Sequence, residues 1–123
     1  DLALDTRICG GHTTTSDCLW AGIPVVTILG SHFASRVSAS LLNAVGLPEL
    51  ITNNLEDYEA LAFRLSQNPG DLDGLKTKLA QNRLTEPLFD TPRFVSNLEN
   101  AYRRMWENYL SGGQLSRLDV IEG

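Results

Sequence analysis

At 123 residues, with 42% hydrophobic and 20% charged side chains, the chain is of a size to bury one core and is one domain or part of one. Its net charge of −5 argues against nucleic acid as a partner, because phosphate backbones demand clustered Lys and Arg. No run of about 18 uninterrupted apolar residues offers a membrane span, and the first residues lack the basic-then-apolar form of a signal peptide.

The chain opens at Asp1 directly in a strand-like run, residues 2–5, which reads as a piece excised from a longer protein. Continuation of this strand to Cys9 stays open. Residues 9–20, CGGHTTTSDCLW, then form the stretch on which the rest is organised. Gly10 and Gly11 permit a tight turn and close approach of a ligand, and a helix over about residues 15–21 follows, closed by Gly22 and Pro24. Residues 24–29, PVVTIL, are nearly continuously apolar and β-branched, as suits a parallel strand covered on both faces. Helical periodicity returns with Phe33, Val37, Leu41 and Val45, until Gly46 and Pro48 stop it.

Residues 50–52 predict a brief third strand, and Asn53 or Asn54 a cap for a helix whose Tyr58, Leu61, Ala62 and Leu65 share a face. Asn68, Pro69 and Gly70 break that helix, and another over residues 71–83 carries Leu72, Leu75 and Leu79. Strands alternating with helices imply an α/β fold with a parallel, doubly wound sheet and ligands at the carboxyl ends of its strands. After a loop at residues 86–90, Thr91 is expected to cap, with Pro92 as first residue, a long helix reaching Leu110. Its apolar face is broad and aromatic: Phe94, Val95, Leu98, Ala101, Tyr102, Met105, Trp106 and Tyr109. The division is therefore an α/β segment over residues 1–85, a loop and long helix over 86–110, and a flexible tail over 111–123.

Two readings fit the central stretch. Amides near residues 14–17 are free to donate to an anion at a helix start. Alternatively, Thr14 and Asp17 have capping-box spacing and serve the helix alone. A metal site from Cys9, His12, Asp17 and Cys18 matches no standard zinc spacing. The two cysteines make no disulfide framework and are expected to be reduced, in a cytoplasmic setting. Arg36 and His32 are weaker candidates for the site, and Trp20 is expected in the core beside Leu19.

The run GHTT, Asp17, Leu19 to Gly22 and Pro24 to Thr27 resembles the C-terminal catalytic lobe of the O-linked N-acetylglucosamine transferases, glycosyltransferase family 41, including bacterial members. The likeness continues through Leu29, Gly30, residues 34–37, Ala39, Ser40, residues 49–51, residues 87–89 and residues 105–107, in the same order. Two departures stand within it: Gly10 where the vertebrate enzyme has a polar residue, and Thr15 and Ser16 in place of a glycine–methionine pair.

The resemblance implies part of the C-terminal Rossmann-like lobe of a two-lobed GT-B enzyme, which moves N-acetylglucosamine from UDP-N-acetylglucosamine to Ser and Thr hydroxyls of proteins. It implies that Thr13 and Thr14 contact the phosphates, that Asp17 accepts hydrogen bonds from the ribose, and that His12 lines the nucleotide pocket. No metal or other cofactor is implied, and the catalytic residues, the acceptor-side surface and the tetratricopeptide repeats belong upstream, so the segment alone would be inactive. The aromatic helix would pack on the N-terminal lobe; equally, its aromatics complete the local core, or, left exposed, pair two copies as a homodimer. A non-catalytic interaction module of the same fold, or another UDP-sugar enzyme such as an epimerase, are the alternatives.

Overall fold

The computed structural model describes residues 1–114 and 116–120. They form two compact units, Asp1–Phe89 and a second that begins at Asp90. In the first, β1 (Ala3–Leu4), β2 (Val25–Ile28) and β3 (Ile51–Thr52) form a parallel sheet in the order β1-β2-β3. Ala3 and Leu4 pair with Val25 and Val26, and Thr27 and Ile28 pair with Ile51 and Thr52. Parallel neighbours need crossovers, and α1 (Thr13–Trp20) and α2 (Val37–Ala44) supply them. α3 (Leu55–Gln67) packs on β2 and β3, and α4 (Pro69–Thr85) packs on α3 and α1.

The apolar run around β2 becomes the central strand, with Val25, Val26 and Thr27 buried. Leu19, Leu42, Val45, Leu47, Leu50, Leu65 and Leu79 close round it in one core. Each such side chain contributes about 1.5–3 kcal/mol by leaving water. Asn54 caps α3, its side chain accepting from the Asp57 amide at 2.8 Å, and the Tyr58, Leu61, Ala62 and Leu65 face packs inward as its periodicity predicts.

Elsewhere the structure corrects the expectation. The helix predicted from Phe33 to Val45 begins as a 3-10 turn, Phe33–Ser35, and its buried stripe is Ser38, Ala39, Leu42 and Val45. Phe33 is 78% exposed, because the tight turn before Arg36 breaks the 3.6-residue period on which the predicted stripe rested. Asn68, Pro69 and Gly70 do not separate two helices by a loop. Proline opens α4 at its first position, where no amide is needed. Trp20 is 57% exposed rather than core. Thr15 and Leu19, four apart, are the residues that α1 turns inward, and Trp20 lies about 100° round from Leu19. Its ring meets Phe89 edge-on at 5.0 Å, and the Arg83 guanidinium lies 5.5 Å from its centre.

The second unit is α5 (Thr91–Leu110) and the chain after it. Asp90, not Thr91, is the cap, accepting from the Arg93 amide at 3.0 Å, so Pro92 is the second residue of the helix. None of the aromatic-face residues of α5 is buried. Of the expected flexible tail, Leu115 and residues 121–123 lie outside the described residues. Within the described part, Asn108 Nδ2 donates to the Gln114 carbonyl at 3.1 Å and Arg104 Nη1 to that of Asp119.

Gly46 ends α2 with φ of 73°, and a Cβ there would meet Asn82 Nδ2 at 2.6 Å. Asn82 Nδ2 itself donates to the Val45 and Gly46 carbonyls at 2.9 and 3.3 Å. Gly46→Ala is therefore expected to lower unfolding free energy by about 1–2 kcal/mol from the backbone alone, and more through the Asn82 clash. Urea titration of the two proteins measures it.

Candidate functional site

The site starts at the carboxyl end of β1, where Asp5 leaves the sheet. Its Oδ1 accepts from the Thr6 amide at 2.9 Å and the Gly11 amide at 2.7 Å, while Oδ2 accepts from the Thr27 hydroxyl at 2.7 Å. One carboxylate thus joins the glycine turn to the central strand. From α3 the Tyr58 hydroxyl donates to the Asp5 carbonyl at 2.8 Å. From α2 the Ser38 hydroxyl donates to the Gly11 carbonyl at 2.8 Å, with the Thr15 and Ser38 hydroxyl oxygens 2.9 Å apart. The Gly10 amide donates to the Ala34 carbonyl at 2.9 Å.

Gly11 is required by close approach. A Cβ there would collide with Thr15 Oγ1 and lie 2.7 Å from Thr14 Oγ1. This packing lets α1 begin at Thr13, two residues earlier than expected, with His12 as a cap position that makes no side-chain cap bond. The Thr14 to Asp17 capping box does not form, because both residues lie inside the helix. The first amides of α1 are consequently not consumed by a side-chain cap.

His12, Thr13, Thr14 and Asp17 come together at this helix start, and all four are exposed. Thr13 and Thr14 precede Asp17 by four and three positions, so the three share one side of α1. The His12 ring meets Phe33 edge-on at 5.8 Å and an interplanar angle of 84°, which ties it to the loop after β2. A cleft of about 180 Å³ opens beside the turn, lined in part by Asp5, Thr6, Gly11 and Thr14. Thr15 also lines it, but only 3% of Thr15 is exposed and its hydroxyl oxygen lies 2.9 Å from that of Ser38.

Of the weaker candidates, Arg36 donates from Nη1 to the Gly30 carbonyl at 3.1 Å and lines a groove with Leu29, Val37 and Phe33, the residue that the His12 ring meets. His32 holds the 3-10 turn through its carbonyl, which accepts from Ser35 Oγ at 2.9 Å. Cys9 and Cys18 are free thiols, and no group of three or more His, Cys, Asp or Glu among the described residues is arranged to hold a metal ion. Asp5, Ser38 and Tyr58 were not legible as site residues, although an acid at the end of a first strand before a glycine turn is a usable signal.

Residues 1–98 match Glycosyl transferase family 41. The chain belongs to that family. A probable UDP-N-acetylglucosamine–peptide N-acetylglucosaminyltransferase of Arabidopsis thaliana is 46% identical over 123 residues, covering 99% of this chain and 13% of that protein. The corresponding transferase of Caenorhabditis elegans is 38% identical over 112 residues, covering 91% of this chain and 10% of that protein. A solved Thermobaculum terrenum O-GlcNAc transferase mutant superposes with a TM-score of 0.81 at 39% identity, over 87% of this chain and 21% of that one. This family 41 chain therefore has the fold of part of the C-terminal Rossmann-like lobe of a GT-B glycosyltransferase, and it spans only 10–21% of the length of these relatives. Among the described residues no helix is long and apolar enough to cross a membrane.

The Tyr58 phenol is held above its ordinary range, first by burial and then by the Asp5 charge. A raised folded-state value means that the neutral phenol stabilises the fold below about pH 10 and that this contribution is lost as pH rises through the higher folded value. Stability of the native protein should therefore fall more steeply above about pH 10 than that of Tyr58→Phe. Urea midpoints measured from pH 8 to 11 on both proteins give the difference, and parallel curves would refute it.

Proposed function

We propose that this segment binds the UDP part of UDP-N-acetylglucosamine in a protein O-GlcNAc transferase that glycosylates Ser and Thr hydroxyls. The observation that carries the reading is the exposed start of α1, uncapped by any side chain and set at the carboxyl end of β1 in a family 41 chain. As the sugar leaves, negative charge grows on the diphosphate, and prealigned donors at a helix start stabilise it without reorganising. Thr13 and Thr14 add hydroxyl donors there. Asp17 sits about 4.5 Å further along the helix axis than Thr14. A carboxylate is repelled by a diphosphate but accepts from diol hydroxyls, which assigns Asp17 to the ribose, and the family resemblance puts His12 in the wall of the nucleotide pocket.

The donor site in this reading uses protein dipoles in place of a metal and needs no other cofactor. The residues that activate the acceptor lie outside this segment, which on its own is inactive. Protein acceptors are chosen by tetratricopeptide repeats elsewhere in the full-length enzyme. The free thiols Cys9 and Cys18 suit a reducing, cytoplasmic setting.

Calorimetric titration of the full-length protein with UDP, with ADP as control, tests the assignment. UDP should bind more tightly than ADP, and Asp17→Ala should raise the UDP dissociation constant about tenfold or more, the loss expected for hydrogen bonds to a charged group. Equal affinity for UDP and ADP, or no binding, would favour the interaction-module alternative.

A further inference from the structure

We propose that Asp5 and Ser38 are positioning residues for nucleotide binding, which clamp the two peptide units flanking Gly11 and so fix the donor geometry of the turn before a ligand arrives. The inference rests on the nucleotide-binding reading above. Asp5 Oδ1 holds the Gly11 N–H at 2.7 Å, and Ser38 Oγ holds the Gly11 carbonyl at 2.8 Å. These two groups belong to the peptide planes before and after the Gly11 Cα. Holding both planes sets both backbone dihedrals of a residue that otherwise has the widest freedom of any.

The direction of the next donor follows. In a trans peptide the N–H points opposite to the C=O of the same unit, and no peptide bond among the described residues is cis. The Gly11 carbonyl points inward to Ser38, so the His12 N–H of that same unit points away from α2. The clamp therefore adds the His12 amide to the outward donors at the start of α1. Thr15 supports Ser38 from behind, with the two hydroxyl oxygens 2.9 Å apart in a buried pair. Asp5 itself is no ligand for an anion. Both of its oxygens are occupied by Thr6, Gly11 and Thr27 donors. Two consecutive glycines left unclamped would have to be ordered by the nucleotide, at a cost in affinity.

The test uses the full-length protein, with the UDP dissociation constant from calorimetry and KM and kcat for UDP-N-acetylglucosamine. Asp5→Ala should raise the dissociation constant and KM about tenfold or more, and Ser38→Ala about threefold or more. Asp5→Asn is the rescue variant. Its amide oxygen accepts from Gly11 and Thr6 while its NH2 faces the Thr27 hydroxyl oxygen, so both constants should stay within about threefold of native. Asn82→Ala, on α4 where it binds the carboxyl end of α2 away from Ser38, should lower the melting temperature without moving the UDP dissociation constant.

A folded Asp5→Ala protein with native UDP affinity overturns the positioning role and leaves the nucleotide reading standing. Where Asp5→Ala fails to fold, Ser38→Ala with native affinity has the same force. Equal weakening by Asn82→Ala would mean that general destabilisation, not the clamp, sets affinity, and it too overturns the proposal. A native protein that takes up no UDP overturns the nucleotide reading itself, and the positioning role falls with it.

Discussion

The carboxylate of Asp5 is the constraint from which the first unit takes its shape. It stands where β1 ends, half-buried, and a carboxylate withdrawn from water without donors is costly. Three donors meet it, from its neighbour Thr6, from the glycine turn and from the central strand. Hydrogen bonds to a charged acceptor contribute about 1.5–3 kcal/mol each, against about 1 for neutral pairs, so this node outweighs any other polar contact described in the unit. The Thr27 hydroxyl is its most dependent partner. At 1% exposure it has no water to fall back on.

Around that node the polar and apolar parts of the fold agree. Thr27 sends its hydroxyl to Asp5, and its carbonyl accepts from the Thr52 hydroxyl at 2.9 Å, so the ladder from β1 to β3 is laced by side chains as well as by backbone. The strands are only two to four residues long, too few to hold by pairing alone. Leucines from four helices and from the segment leading into β3 close over them. No buried side-chain nitrogen or oxygen among the described residues lacks a partner, although five polar residues are buried, so the interior of the unit is satisfied throughout.

Local chemistry was the legible part of this chain. The β2 run, the Asn54 cap and the Tyr58 to Leu65 face depend on neighbours within a few positions, and each is written in the residues themselves. Family membership was legible for a related reason, since an ordered series of short identities spans most of the chain. Asp5 and Ser38 carry no such mark. Besides the near amides of Thr6 and Gly11, Asp5 meets Thr27 22 positions away, and Ser38 meets Gly11 27 positions away, and a single polar residue does not encode a distant contact. Trp20 and Phe33 misled because large apolar side chains suggest burial, whereas small residues, Ser35 in the 3-10 turn and Ser38 and Ala39 in α2, take the inward positions. The assignments of His12, Thr13, Thr14 and Asp17 came from the resemblance, and the structure adds where those side chains stand.

The separation of inward and outward residues at the start of α1 has an evolutionary consequence. Thr15, Ser38 and Asp5 face the scaffold, and His12, Thr13, Thr14 and Asp17 face outward from the same few turns of chain. Changes in the second group leave the hydrogen bonds of the first untouched. A lineage could thus drift through different exposed side chains at these four positions while inheriting one unchanged backbone, and new ligand preferences could arise without passing through an unfolded ancestor.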